Sequence, residues 1–70
     1  MITNYVVSGM TCDHCVAHVT EEVSAIPGVE QVKVQLSDGS MQVSSAELID
    51  FDKIAQAVDD AGDYQVALAG

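Results

Sequence analysis

Arginine and tryptophan are missing from this chain, and lysine is nearly so: Lys33 and Lys53 are its only permanently cationic side chains. Eleven aspartates and glutamates stand against them, for a net charge of −9 over 70 residues. A chain so acidic has little with which to neutralise phosphates or an anionic bilayer, which argues against nucleic acid and membrane surfaces as partners. It favours solubility and a partner with a basic docking face, although a plain solvated coat would carry the same charge. Long apolar runs are absent too, and nothing approaches the ~20 residues of a membrane span. Residues 1–8 lack the basic and long apolar regions of a secretory signal. The compartment expected by default is a reducing cytoplasm, where thiols stay free.

Length is the next scarcity. Seventy residues allow one domain, residues 1–70, with a thin core. A domain of this size buries only about 60% of the surface its unfolded chain exposes. It has no room for a deep substrate cavity of roughly 300–1,000 Å³. A surface site is expected, and an enzyme is not.

What is present is pattern. Apolar residues make up 49% of the chain, enough for a globular core. Residues 2–8 are rich in β-branched and aromatic types and predict a strand, which Gly9 ends. Thr11 or Asp13 is placed to cap a helix starting near His14. Val16, Val19, Val23 and Ile26 recur at helical spacing, with Thr20, Glu21, Glu22 and Ser24 opposite. Pro27-Gly28 stops that helix. Residues 29–36 alternate through Val32, Val34 and Leu36 as a half-buried strand. Asp38-Gly39 signals a hairpin, with Met41 and Val43 on a shorter return strand. A loop over 44–49 leads to a second helix over 50–61, its stripe Phe51, Ile54, Ala55 and Val58. Gly62 ends it, and Tyr64, Val66 and Leu68 alternate as a last strand. The order β-α-β-β-α-β, with right-handed crossovers, predicts an α+β ferredoxin-like plait. Its four-stranded antiparallel sheet would carry two helices on one face.

The only two cysteines lie in GMTCDHC, residues 9–15, with Asp13 and His14 between Cys12 and Cys15. Cys12 falls in the loop and Cys15 in the first helical turn. Unpaired N–H groups and the helix dipole there favour thiolate. A structural disulfide would close a tiny loop and constrain little chain. A thiol–disulfide couple is a stronger reading, because CxxC between strand and helix also describes thioredoxin-like proteins. The elements do not continue in that order, however. Structural zinc requires four ligands, and only His14 and His18 are at hand to complete the set. Two exposed thiolates suit Cu(I), a soft ion. Such a pair also invites attack by an incoming thiolate, so it can hold the ion and still release it. Hg(II) likewise takes two thiolates.

GMTCDHC resembles the GMTCxxC signature of heavy-metal-associated domains. The resemblance extends through the first helix, Pro27-Gly28-Val29, the Val32-Val34-Leu36 strand, the Asp38-Gly39 turn and the closing helix-Gly-Tyr-strand segment. That family, of cytosolic copper chaperones and the N-terminal metal-binding domains of P-type ATPases, implies the same plait. It implies Cys12 and Cys15 as Cu(I) ligands, and Met10 as a methionine packed beneath the loop rather than a ligand. Thr11 occupies a position where relatives handling divalent ions often carry an acid, and so points to copper. Bacterial copper chaperones tend to read Gly-Tyr before the last strand, whereas this chain reads Gly62-Asp63-Tyr64. Whether Tyr64 reaches the metal loop then depends on how the extra residue is accommodated.

For the remaining candidates, His14 is expected to face solvent, with tuning of the thiolates as the alternative, and His18 to be a surface residue. Tyr64 is expected either in the strand core or beside the sulfurs. Met1 and Met41 are given no role. The resemblance implies a copper chaperone delivering Cu(I) by thiolate exchange to a copper-transporting P-type ATPase, with a copper-sensing regulator as a second partner. It implies a monomer without metal and a possible copper-bridged dimer. An excised ATPase domain and a thiol oxidoreductase are the alternatives.

Overall fold

The computed structural model describes residues 1–69. Its elements are β1 (Ile2–Ser8), α1 (Asp13–Ser24), β2 (Val29–Val34), β3 (Ser40–Ser45), α2 (Phe51–Ala61) and β4 (Gln65–Leu68). The four strands form one sheet in the order β2-β3-β1-β4, antiparallel throughout. Each strand–helix–strand half skips a position in the sheet. The slot left between β1 and β2 is filled by β3, which returns from its hairpin. Among the described residues no helix is long and apolar enough to cross a membrane.

Alternation along the strands decides which face is covered. Tyr5 and Val7 of β1 and Met41 and Val43 of β3 point inward. They meet Val19 and Val23 of α1 and Ile54, Ala57 and Val58 of α2. Both helices therefore lie on one face of the sheet, as the ferredoxin-like plait requires. Val19 and Val23, four apart, and Ile54 are wholly buried, each side chain contributing about 1.5–3 kcal/mol on transfer from water. Val32 and Val34 of β2, Ile26 and Val66 pack around that centre half-buried. The opposite face of the sheet is open and polar: Asn4, Ser8, Gln31, Lys33 and Gln42 all lie exposed.

Several expectations are corrected in detail. Neither Thr11 nor Asp13 caps α1: the N-cap is Cys12, and no side chain bonds the free N–H groups. The Cys12 carbonyl instead accepts from the N–H of Cys15 at 3.1 Å and of Val16 at 3.3 Å. Strand β2 ends at Val34, so Leu36 falls in the connection and is exposed. The chain turns there because the Gly39 N–H donates to the Gln35 carbonyl at 3.0 Å and the Gln35 N–H to the Ser40 carbonyl at 2.9 Å. Gly39 sits at φ +72°, and a Cβ on it would stand 2.5 Å from the Val7 carbonyl oxygen. Strand β3 matches β2 in length, at six residues each, and runs through Ser45 rather than ending before the loop expected from 44. Ser45 pairs with the backbone of Met1 and is buried. On α2, Ala57 rather than Ala55 joins the fully buried set, and Phe51 is exposed at the helix start. Strand β4 begins at Gln65, leaving Tyr64 just ahead of it, and Leu68 is exposed. Met41, given no role beyond its strand, is one of the largest fully buried side chains, with Tyr5.

Candidate metal centre

Strand β1 delivers the chain to one pole of the sheet, where Gly9 to Thr11 cross to the start of α1. Cys12 is exposed on that loop, and Cys15 is half-buried in the first turn of the helix. Their Sγ atoms lie 3.4 Å apart. Both are free thiols, since a covalent S–S bond measures about 2.05 Å. The spacing follows from the helix start: Cys12 as N-cap and Cys15 three residues on project from the same side of the first turn. Thr11 Oγ1 lies 3.9 Å from Cys15 Sγ, a distant contact that steadies the loop weakly.

Cys15 is prepared as an anion. Its thiol is pulled from about 9 down to about 6. The first cause is the influence of the Tyr64 hydroxyl; the Thr11 backbone and the Cys12 thiol follow, while partial desolvation opposes them. Reciprocally, the Tyr64 hydroxyl is held above its usual range, chiefly by the influence of Cys15. At neutral pH Cys15 is thus mostly thiolate, next to the positive end of α1.

Tyr64 therefore reaches the loop in spite of Asp63. The extra residue is accommodated by an unusual backbone at Gly62, φ +156°. The Tyr64 N–H donates to the Gly62 carbonyl at 2.9 Å. The tyrosine ring lies so close over Gly62 that a Cβ there would stand 2.8 Å from Cε2. On the other side, a Cβ on Gly9 would be 3.4 Å from Cδ1 and 3.1 Å from the Asp63 carbonyl oxygen. Two glycines from opposite ends of the chain form the socket that seats the ring. Sequence reasoning missed this socket. Its only trace in the sequence is the Gly-x-Tyr spelling, with no clue that Gly9 lies opposite.

The other expected residues are placed as follows. Met10 is half-buried and packs against the core, a lesser plug than a fully enclosed one. His14 and His18 are exposed. Among the described residues, no three of His, Cys, Asp and Glu gather into a group able to hold a metal. A four-ligand zinc site thus has no support. The chemistry on offer is two sulfurs, one held as thiolate, open to solvent at a helix start. That donor set fits a soft ion of low coordination number and gives a hard ion such as Mg²⁺ or Ca²⁺ nothing to bind.

The description "heavy-metal-associated domain" belongs to the family profile that matches residues 5–63. The copper chaperone CopZ of Enterococcus hirae is 41% identical over 93% of this chain and 94% of its own length. That of Bacillus subtilis is 42% identical over 87% and 88%. A solved structure of the apo copper chaperone of E. hirae superimposes with a TM-score of 0.81 at 37% identity, covering 96% of this chain and 98% of that one. Similar segments recur inside longer proteins. The chain spans 9% of a mercuric reductase of Serratia marcescens, 40% identical over 61% of this chain. It spans 7% of a copper-transporting ATPase of Schizosaccharomyces pombe, 33% identical over 86%.

Proposed function

This chain belongs to the heavy-metal-associated domain family, and from that premise we propose that it is a cytoplasmic copper carrier, binding one Cu(I) between Cys12 and Cys15 and delivering it by thiolate exchange. The observation that carries the reading is the pair of free sulfurs 3.4 Å apart, one stabilised as thiolate, with no third His, Cys, Asp or Glu grouped with them among the described residues. Relatives matched over nearly their whole length are named copper chaperones, which supports copper as the cargo and a carrier as the role. Two sulfurs meet the low coordination demand of Cu(I) and leave room for a third. An incoming cysteine can therefore bond to the ion before a resident one lets go, so that copper passes without being released into water.

The recipient in this reading is the metal-binding domain of a copper-transporting P-type ATPase, whose own segments resemble this chain. A copper-sensing regulator is a second recipient on the same exchange chemistry. The protein without metal would be monomeric, and copper would bridge two copies when it is in excess over partner. Redox enzymology is not part of the proposal, because the β-α-β-β-α-β order does not continue as in thioredoxin-like proteins. The same similarity to a segment of an ATPase supports the alternative that the fold serves as a domain of such a transporter.

Competition titration of Cu(I) against a strong chelator tests the assignment. One ion per chain is expected, with tight binding lost in Cys12→Ser and in Cys15→Ser, since a protonated hydroxyl is a poor soft-metal ligand. Wild-type affinity in both variants would refute the site. A parallel titration with Hg(II) and a disulfide-reductase assay separate the remaining readings. Preferred retention of mercury over copper, or substantial reductase turnover, would replace the carrier hypothesis.

A further inference from the structure

An open groove of about 370 Å³ lies between the end of α1 and the face of α2. Its lining is mostly apolar, supplied by Ala25, Ile26, Pro27 and Ala57. Around it stand Glu22, Asp52 and Asp60, with Lys53 as the single cation. The groove begins at Glu22, seven residues along the chain from Cys15 and roughly 10 Å along the helix axis, and none of its lining residues belongs to the cysteine loop. It is therefore a surface separate from the sulfur pair.

Charge is distributed unevenly between the two faces of the molecule. The open face of the sheet carries Ile2, Asn4, Val6 and Ser8 on β1, registered against Ser40, Gln42 and Ser44 on β3 and Gln65 and Ala67 on β4. No acid stands among these paired positions. Apart from Glu30 on β2 and Asp38 in the β2–β3 turn, the acids lie on the helices and the loops that border them, as with Glu21, Glu22, Asp52, Asp59, Asp60 and Asp63. Two features thus coincide on the helical face: an apolar trough and a rim of like charge. A second copy of the chain is a poor occupant, because each brings a net charge of −9. A nucleic acid or anionic lipid is disfavoured for the same reason. The groove matches an apolar ridge flanked by cations.

We propose that the groove between α1 and α2 is a docking site for a basic amphipathic segment of a partner protein, engaged while the cysteine loop remains free. Apolar side chains of the segment would fill the trough over Ala25, Ile26 and Ala57. Its lysines or arginines would meet Glu22, Asp52 and Asp60, in the manner of an amphipathic helix in a groove. Steering by the acidic face would raise the encounter rate, and apolar contact would set the residence time. The inference stands on the groove and the charge distribution, and does not require the copper reading.

The test uses the full chain, isotopically labelled, and a synthetic Leu/Lys amphipathic peptide of about four helical turns. Backbone amide shifts are expected to cluster at residues 22–27 and 52–60, with little change at residues 9–15. Binding should weaken about tenfold in Glu22→Lys/Asp60→Lys and weaken with salt. A neutralising pair, Glu22→Gln/Asp52→Asn, gives the same direction with a smaller change, and serves if charge reversal unfolds the chain. Shifts centred on the cysteine loop or the open sheet face would overturn the proposal. So would equal binding of a Leu/Glu peptide, unchanged affinity in the variants, or shifts that follow protein concentration without peptide. Cu(I) titration of the same samples keeps the two readings apart: docking without copper binding would sink the carrier hypothesis and leave the groove standing.

Discussion

Replacing Tyr64 with phenylalanine removes one oxygen and leaves the ring in its seat between Gly9 and Gly62. The hydroxyl is the largest of the influences that hold Cys15 at about 6. Its loss should move the Cys15 inflection up towards the ordinary thiol range, part of the way rather than all of it, because the Thr11 backbone and the Cys12 thiol remain. The ceiling follows from the ionised fraction. At pH 6 about half of Cys15 is thiolate, whereas an unperturbed thiol near 8.5 would be roughly 0.3% ionised, about 150-fold less. A thiolate from a more acidic thiol is also a weaker nucleophile, with a Brønsted slope of about 0.4–0.5. That offsets roughly one order of magnitude, so alkylation of Cys15 at pH 6 should slow by at most about tenfold. On the same slope the sign reverses above roughly pH 7.4, where enough of the variant's thiol is ionised for its more basic thiolate to react faster. Mapping iodoacetamide labelling at Cys15 against pH, with the far-ultraviolet thiolate absorbance alongside, reads both limbs. Superimposable profiles for wild type and Tyr64→Phe would refute the role given to the hydroxyl. The linked effect on stability has a definite sign: a thiol depressed in the folded state stabilises above the unfolded thiol's pKa, and that contribution fades as pH falls through about 6. Cys15 is only half-buried, so solvent screening keeps that contribution small.

Gly62→Ala should raise the Cys15 inflection although the hydroxyl is kept, because the new Cβ would stand 2.8 Å from the tyrosine ring and displace it; an unchanged labelling profile would show that the socket does not position Tyr64. Ile54→Ala should cost about 2–5 kcal/mol by denaturant unfolding. Met10→Ala, at a half-buried position, should cost less than that range and leave one Cu(I) per chain, and a lost ion with unchanged stability would make Met10 a ligand. Stopped-flow transfer of Cu(I) to a cognate metal-binding domain should slow as salt rises, since surface charge is screened within about 8 Å at physiological ionic strength, while intrinsic affinity stays constant. A transfer rate equal to spontaneous release into chelator would remove the exchange mechanism.

The plait was legible because its patterning is local. Alternation in residues 2–8, the Val19/Val23 repeat, Pro27-Gly28 and Asp38-Gly39 each state a choice the chain makes within a few residues. Those choices leave few topologies once right-handed crossovers are required. Where expectation and structure diverged, a distant contact decided the matter. Leu36 continues the alternation of β2 and yet lies outside it, in a turn closed by Gln35, Gly39 and Ser40 whose Gly39 carbonyl is tied to the N–H of Val7 at 2.7 Å. Ala57 displaces Ala55 from the fully buried set, and Ser45 is drawn into β3 by pairing with Met1.

The cysteine pair belongs to the same local class. CxxC at a helix start brings two sulfurs together through the geometry of one turn, so residues 12–15 by themselves determined that the two thiols lie side by side. The state of those sulfurs was decided elsewhere. Tyr64 and Cys15 are 49 positions apart in the chain, and no periodicity links them. They meet because β1 and β4 pair, with Ser8 against Gln65, which brings Gly9, Gly62 and Tyr64 to the same pole of the sheet. The groove between α1 and α2 has the same origin. Each helix declares its acids, but only the packing of one against the other on a shared face of the sheet sets those acids around an apolar trough.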